Sequence, residues 1–344
     1  MDERKKKVLH AIIQDYIVNA EPVGSRAVAK KYDLGVSPAT IRNEMSDLEE
    51  QGYIEQPHTS AGRVPSDKGY RYYVDHLMPK QALTPTEIQA VRQALMIQMT
   101  EVDDFMRNCC NLIAKLTNYT TMISTPQAGQ GKLQKLQLLP VSDDQLLVIL
   151  TSSSGLVRHK LINLTQPLMP ELLRRVELLA QAHLIGMELD KLNYHYIREV
   201  LAEIEQHQRL LDEAGDLLQR VLFPQMQHKV YTGGALNMLS QPEFQDLNQL
   251  KNVFALLEEE GKLKELLHRG GEQSNNVTIT IGAELPQQQM QNCSLLVAQY
   301  YINGEEAGNI GILGPTRMSY PKTVSLLEFI AKEISAALSR YKGD

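Results

Sequence analysis

"VSPATIRNEMSDLEEQGYIEQPHTSAGRVPSDKGYRYYVD", Val36–Asp75, decides how this chain is read. Ser37 is a natural helix N-cap, and Pro38 suits the first helical position, where its missing N–H costs nothing. From there Ile41, Met45 and Leu48 recur at i, i+4 and i+7, so one stripe of a helix packs inward. Ala39, Thr40, Arg42, Asn43 and Ser46 then face away, and Gly52 ends the helix. "YIEQ", the loop "PHTSAGR" and "VP" follow as two short strands around a turn that Gly62 permits. A core helix has no need of such a sequel. A helix that lies on a partner, with a loop reaching beside it, does.

The residues before this stretch complete the pattern. Val8, Leu9, Ile12, Ile13, Tyr16 and Ile17 have helical spacing within Arg4–Ala20, and Pro22 with Gly24 stops that helix. Ser25 is the expected cap of a short second helix, "SRAVAKKY", and Gly35 allows the turn into the third. Two short helices joined by a glycine turn and followed by a hairpin are the pattern of a winged helix-turn-helix.

That pattern assigns candidate contacts. An outward Arg42 forks onto guanine O6 and N7, and Asn43 pairs with adenine N6 and N7, if the helix lies in a major groove. The bland alternative pairs Arg42 with the acids of its own helix, Glu44 to Glu50. His58, Thr59, Ser60, Gly62 and Arg63 form the wing, whose polar loop suits a minor-groove or backbone contact. Arg26, Lys30, Lys31 and Lys68 are phosphate candidates. Tyr70, Tyr72 and Tyr73 read as packing residues that close the unit. Met1–Met78 holds 11 Lys and Arg against 12 Asp and Glu, a net of −1, with acids gathered in Asp47–Glu55. Binding would rest on specific contacts and dimerisation more than on a broad basic face.

Beyond Met78, "PKQALTPTE" reads as a linker and Thr86–Tyr119 as one long helix. Short strands follow in "LQKLQLLPV", "QLLVILTS" and "LVRHKLINL". Residues 166–228 are helical again, with Leu201, Ile204, Leu211, Leu218 and Leu222 close to one stripe. Another amphipathic helix is expected over Asp246–Leu267. "VTITIG", "SLLVAQYYI" and "AGNIGILG" are strands, with Asn303-Gly304 as a hairpin turn. A final helix after Pro321 puts Leu327, Ile330, Ile334, Leu338 and Tyr341 on one face. The expected class is α+β and multidomain.

Bulk properties exclude other classes. The chain has 344 residues, 43% hydrophobic and 22% charged, ordinary values for globular domains. "LLVIL" is far too short for a membrane span, and the amphipathic start is not a signal peptide. Three cysteines without a C-x-x-C give no disulfide framework, so a cytoplasmic location is expected. No H-E-x-x-H, P-loop or G-x-G-x-x-G frame is present, and no enzyme, cofactor or metal site is expected.

The long stretch from "EPVGSRAVAKKYDLGVSPATIRNEMSDLEEQGYIEQ" through "YRYYVD", with "GGALNMLSQPEF" and "GILGPTRMSYPKTVSLLEFIAKEIS", resembles the heat-inducible transcription repressor HrcA family over nearly the whole chain. Leu285 departs from the Asn usual there. The resemblance implies a winged-helix DNA-binding domain at 1–78, a GAF-like domain at 79–163 and 234–344, and a dimerisation domain inserted at 164–233. It also implies a homodimer on a double-stranded inverted repeat, the CIRCE element, ahead of chaperone operons, and the GroEL chaperonin as partner. Two other classes stay open: a regulator gated by a small ligand in the GAF-like domain, and an enzyme fused to a DNA-binding head.

Overall fold

The computed structural model describes residues 1–58, 61–95, 102–124, 132–143, 145–153, 157–163, 170–188, 229–244, 246–271 and 277–341. The chain divides into two compact units. One holds Met1–Ile123, Val230–Gln299 and Asn309–Glu333; the other holds Ser124–Lys229, Tyr300–Gly308 and Ile334–Asp344.

The first unit opens with a head of helices α1 (Glu3–Asn19), α2 (Ser25–Lys31) and α3 (Pro38–Glu50). Asp2 caps α1, accepting from the Lys5 amide at 2.8 Å, and Val8, Leu9, Ile12 and Ile13 are fully buried. Ser25 was expected to cap α2. Gly24 takes that place without a side-chain bond, and Ser25 is the first helical residue. Ser37 caps α3 as its position predicts, accepting from the Thr40 amide at 3.2 Å, and Ile41, Met45 and Leu48 are buried. Gly52, at φ +75°, ends it. Strands β1 (Ile54–Glu55) and β2 (Val64–Pro65) pair antiparallel, Ile54 opposite Pro65. Helix α4 (Asp67–Tyr72), capped by Ser66, runs into a π turn over Tyr73–Leu77. Tyr70 and Tyr73 are buried, and Tyr73 accepts from Gln14 at 2.7 Å, so the tyrosines close the head.

Beyond the head come α5 (Pro85–Leu95), α6 (Val102–Thr117) and β3 (Thr120–Ser124). These two helices are the described parts of the helix expected over Thr86–Tyr119, and residues 96–101 between them lie outside the described residues. The first begins at a reciprocal cap between Thr84 and Glu87.

The chain continues through β4 (Leu133–Ser142), β5 (Gln145–Ser152), β6 (Val157–Asn163) and α7 (Pro170–His183) in the second unit. It then passes through β7 (Val230–Gly233), α8 (Leu247–Glu258), α9 (Glu260–Gly271) and β8 (Val277–Ile281). It ends with β9 (Cys293–Ile302), β10 (Glu305–Pro315) and α10 (Tyr320–Tyr341). One helix was expected where α8 and α9 stand; Glu259 separates them.

The larger sheet has the order β7-β3-β10-β9-β8. Asn303 and Gly304, at φ 53° and 85°, make the β9–β10 turn that their sequence predicts. Leu250, Val253, Leu256, Leu263, Leu266 and Leu267 of α8 and α9 pack with Met122, Leu295, Val297 and Leu313 of the sheet.

The three strands over Leu133–Asn163, expected in the GAF-like domain, form a sheet of their own, β4-β5-β6. In β4 and β5, Leu136 lies opposite Leu150 and Leu138 opposite Val148. The Leu138 amide donates to Glu177 of α7 at 2.8 Å. The first division between the two compact units lies at Ser124, and β7 pairs into the larger sheet. The reason is pairing: each of β4–β6 finds its partner through a short local connection, whereas β7 returns over a hundred residues to β3.

Candidate nucleic-acid interface

The side chains of α3 divide as their spacing predicts. Ala39, Arg42, Asn43 and Ser46 are exposed with Ser37 and Pro38, and Thr40 is half-buried beside the cap, its hydroxyl 3.0 Å from that of Ser37. Among the described residues Arg42 has no ion-pair partner. Three of the four acids of the helix are occupied, and Glu50, exposed at its far end, has no ion-pair partner among the described residues. Arg4 donates to the buried Glu44 through Nε at 2.6 Å, Lys5 meets Asp47 at 2.9 Å, and Arg63 meets Glu49 at 2.7 Å. Three cations from outside α3 thus neutralise Glu44, Asp47 and Glu49, leaving the leading end of the helix with one free guanidinium and a neutral amide.

The hairpin departs from expectation at two residues. Gly62 was read as supplying the turn, yet its role is close approach. A Cβ there would stand 2.6 Å from the Val23 carbonyl, so only glycine lets the strand pass Pro22 and Val23. Arg63 was expected to face DNA. Its backbone bonds Val23 in both directions at 2.9 Å and its guanidinium is turned onto Glu49, which makes it a tie between hairpin and α3. His58 is exposed, while Thr59 and Ser60 lie outside the described residues. The Gln56 side chain donates to the Ala61 carbonyl at 3.1 Å, and the Ala61 amide to His58 at 2.9 Å, closing the loop base.

The four phosphate candidates separate into pairs. Arg26 and Lys30 are exposed and have no partner among the described residues. Lys31 is ion-paired with the buried Asp15 of α1, and Lys68 donates to the Gln51 carbonyl at 2.8 Å while lying 4.7 Å over the Tyr53 ring. Leu201, Ile204, Leu211, Leu218 and Leu222 lie outside the described residues.

Sequence reasoning missed the residues that hold the head in place. Arg4 and Lys5 sit in a "DERKKK" run that reads as a solvated end, and only the fold brings Glu44 and Asp47 to them. Asp67 and Arg71, also unassigned, bond the Ala283 amide and the Glu284 carboxylate.

The rest of the chemical inventory is quiet among the described residues. No group of His, Cys, Asp or Glu there could hold a metal. Burial pushes the Cys109 and Cys293 thiols up to about 12 and Cys110 higher still, which keeps all three protonated. No described helix is long and apolar enough to cross a membrane.

Comparison with known proteins agrees with this pattern. A family model described as "HrcA protein C terminal domain" matches residues 103–324. The heat-inducible transcription repressor HrcA of Pelotomaculum thermopropionicum is 42% identical over 99% of this chain and 97% of its own length. That of Carboxydothermus hydrogenoformans is 41% identical over 97% of both, and that of Moorella thermoacetica 41% identical over 99% and 98%. A crystal structure described only as a hypothetical protein shares the fold, with a TM-score of 0.67 and 24% identity over 99% of each chain. The three named relatives are transcription repressors. The chain belongs to the HrcA family of heat-inducible transcription repressors.

Proposed function

We propose that the chain is a sequence-specific DNA-binding repressor of heat-shock chaperone operons. In this reading it binds the CIRCE inverted repeat as a homodimer in the cytoplasm. The head is a winged helix-turn-helix, with α3 in the major groove and the His58–Gly62 loop beside it. The larger sheet with its flanking helices is the GAF-like domain. The unit interrupting it after Ser124 carries dimerisation through Leu201, Ile204, Leu211, Leu218 and Leu222. The GroEL chaperonin keeps the repressor competent; heat diverts the chaperonin to misfolded clients and frees the operator.

The observation that carries the reading is Arg42, exposed on the capped end of α3 with Glu44, Asp47 and Glu49 already paired to other cations. An arginine and an asparagine side by side, free and aimed outward, suit base-edge contact. Phosphate contacts at Arg26 and Lys30 would fix register without carrying sequence information. A gel-shift series on a duplex inverted repeat from upstream of a chaperone operon, against the same bases scrambled, tests it. Retention of the repeat alone, strengthened by chaperonin, is expected. Equal retention of both duplexes would overturn sequence-specific repression.

A further inference from the structure

Among the described residues strand β8 is an edge of the larger sheet, paired on one side, with Ile279 opposite Leu296 of β9. Its sequence, Val277-Thr-Ile-Thr-Ile281, is β-branched throughout and has no charge and no proline. Exposed edges with that composition template further strand pairing, and folded proteins blunt them with charges, prolines, bulges or a cover. Here β8 has none of the first three. It has a cover, and the cover is the head.

Helix α4 supplies it. Asp67 accepts from the Ala283 amide at 2.8 Å, just past the end of β8. One turn on, Arg71 donates through Nε to Glu284 at 2.8 Å and through Nη2 to the outward carbonyl of Ile279 at 2.6 Å. Glu284 in turn accepts from the Ile281 amide at 2.8 Å. Gly282 makes room for this: its φ is +52°, and any Cβ there would run into the Asp67 carboxylate. A second attachment lies at the end of α1. Arg317, ion-paired with Glu243, donates to the Ile17 carbonyl and to the Gln241 side chain, each at 3.2 Å. Between the two attachments the Tyr70 ring packs 6.0 Å from that of Tyr320.

We propose that α4 guards the sheet edge. Asp67 and Arg71 hold the head to the body and cover β8 in one contact, so release of the head uncovers an edge that pairs with the β8 edge of a second copy. Head position and self-association are then one equilibrium. A chain whose head swings free assembles through its sheets, and a chain whose head is docked does not. Two-fold pairing of an antiparallel edge with itself is isologous, so the first assembled species joins two chains through β8. The proposal rests on the reading above only in calling the head DNA-binding; its test does not depend on DNA.

The full chain and three variants decide it, by hydrogen exchange of the 277–281 amides and by sedimentation over a concentration series. Arg71→Ala is expected to speed exchange in β8 by about tenfold, as loss of charge-assisted bonds implies, and to add species larger than those of the parent. Arg71→Lys, which keeps a cationic donor for the Glu284 carboxylate and the Ile279 carbonyl, is expected to restore most of both. Adding Thr278→Lys to Arg71→Ala is expected to abolish the added species while exchange stays fast, because a charge on the edge blocks pairing and not opening. Unchanged exchange and assembly in Arg71→Ala would overturn the proposal. So would faster exchange spread equally over β3 and β10, which is general unfolding. An edge that opens as expected in a chain that ignores the inverted repeat leaves this inference standing and removes the repressor reading.

Discussion

Arg63 of the hairpin and Glu49 near the end of α3 share one carboxylate oxygen between two donors, Nε at 2.9 Å and an Nη nitrogen at 2.7 Å. The same arginine pairs its backbone with Val23, so one residue fixes the hairpin to α3 and to the α1–α2 connection. Arg63→Ala is expected to lower head stability by about 1 kcal/mol, the scale of a partly exposed ion pair with good geometry. A double-mutant cycle with Glu49→Ala in denaturant melts should return a coupling of about 0.5–1 kcal/mol. Zero coupling together with a loss of operator affinity would make Arg63 a DNA contact after all.

Arg42→Ala is expected to weaken operator binding by about 1–3 kcal/mol, the worth of a bidentate base contact, and to change binding to random DNA far less. Lys30→Ala should instead weaken both alike and lower the salt slope by about 1. Gel shifts at several salt concentrations separate the two behaviours. Equal losses on operator and random duplex would reassign Arg42 to a phosphate.

Much of the head was legible because its signals are local. Ser37, Pro38 and the Ile41–Met45–Leu48 stripe act within one helix, and Asn303-Gly304 acts within one turn. What the sequence hid depends on distant partners. Nothing near Arg63 in sequence announces Glu49, and nothing near Lys31 announces Asp15. A list of cations therefore overstated the free basic surface: Lys31, Lys68 and Arg63 are engaged, and Arg26, Lys30 and Arg42 are left. Strand pairing was hidden for the same reason, since the "LLVIL" strand reads alike whether it lies in the larger sheet or in a sheet of its own.

Glu87 joins the start of α5 to α10 and carries a pH dependence. Lys322 at 2.9 Å, then the amide and hydroxyl of Thr84, hold its carboxyl at about 2 against an ordinary 4.5. The folded value lies below the unfolded one, so protonation favours the unfolded chain. This contribution is whole above about pH 4.5 and drains away as pH falls toward about 2. The drop in melting temperature from pH 7 to pH 3 should be smaller in Glu87→Gln than in the parent. An equal drop in both would show that the Glu87 contact adds nothing to the fold.

Replacing Leu211 and Leu218 by Glu is expected to yield monomers. Both belong to the sequence stripe from Leu201 to Leu222 proposed to carry the dimer, and two charges in a seam of that kind cannot be buried without partners. The head should stay folded, because its core of Leu9, Ile12, Ile41 and Leu48 is made within Met1–Met78. Sedimentation reads the oligomer, and the exchange pattern of α1–α3 reads the head. A dimer that survives both substitutions would place the interface elsewhere in the chain.

The last prediction concerns how heat is sensed. The larger sheet pairs β3 with β10, Thr121 opposite Ile312, and β7 with β3, so its strands come from both sides of a long insert. Pairing at such separations is slow, and meanwhile Met122 and Ile123 of β3, whose two neighbours are both distant in sequence, stand open to aggregation. A repressor built this way needs no ligand to respond to heat if its yield of folded chain depends on a chaperonin. Chain denatured and then diluted alone is expected to recover little operator binding. Chaperonin with its nucleotide should restore binding, and an excess of unfolded client should cancel the restoration by occupying the chaperonin. The measurement is operator retention in a gel shift after each regime, scored against undenatured protein. Full recovery by dilution alone, indifferent to chaperonin and to client, would sink this mechanism and turn the search toward a small ligand of the domain built on the larger sheet.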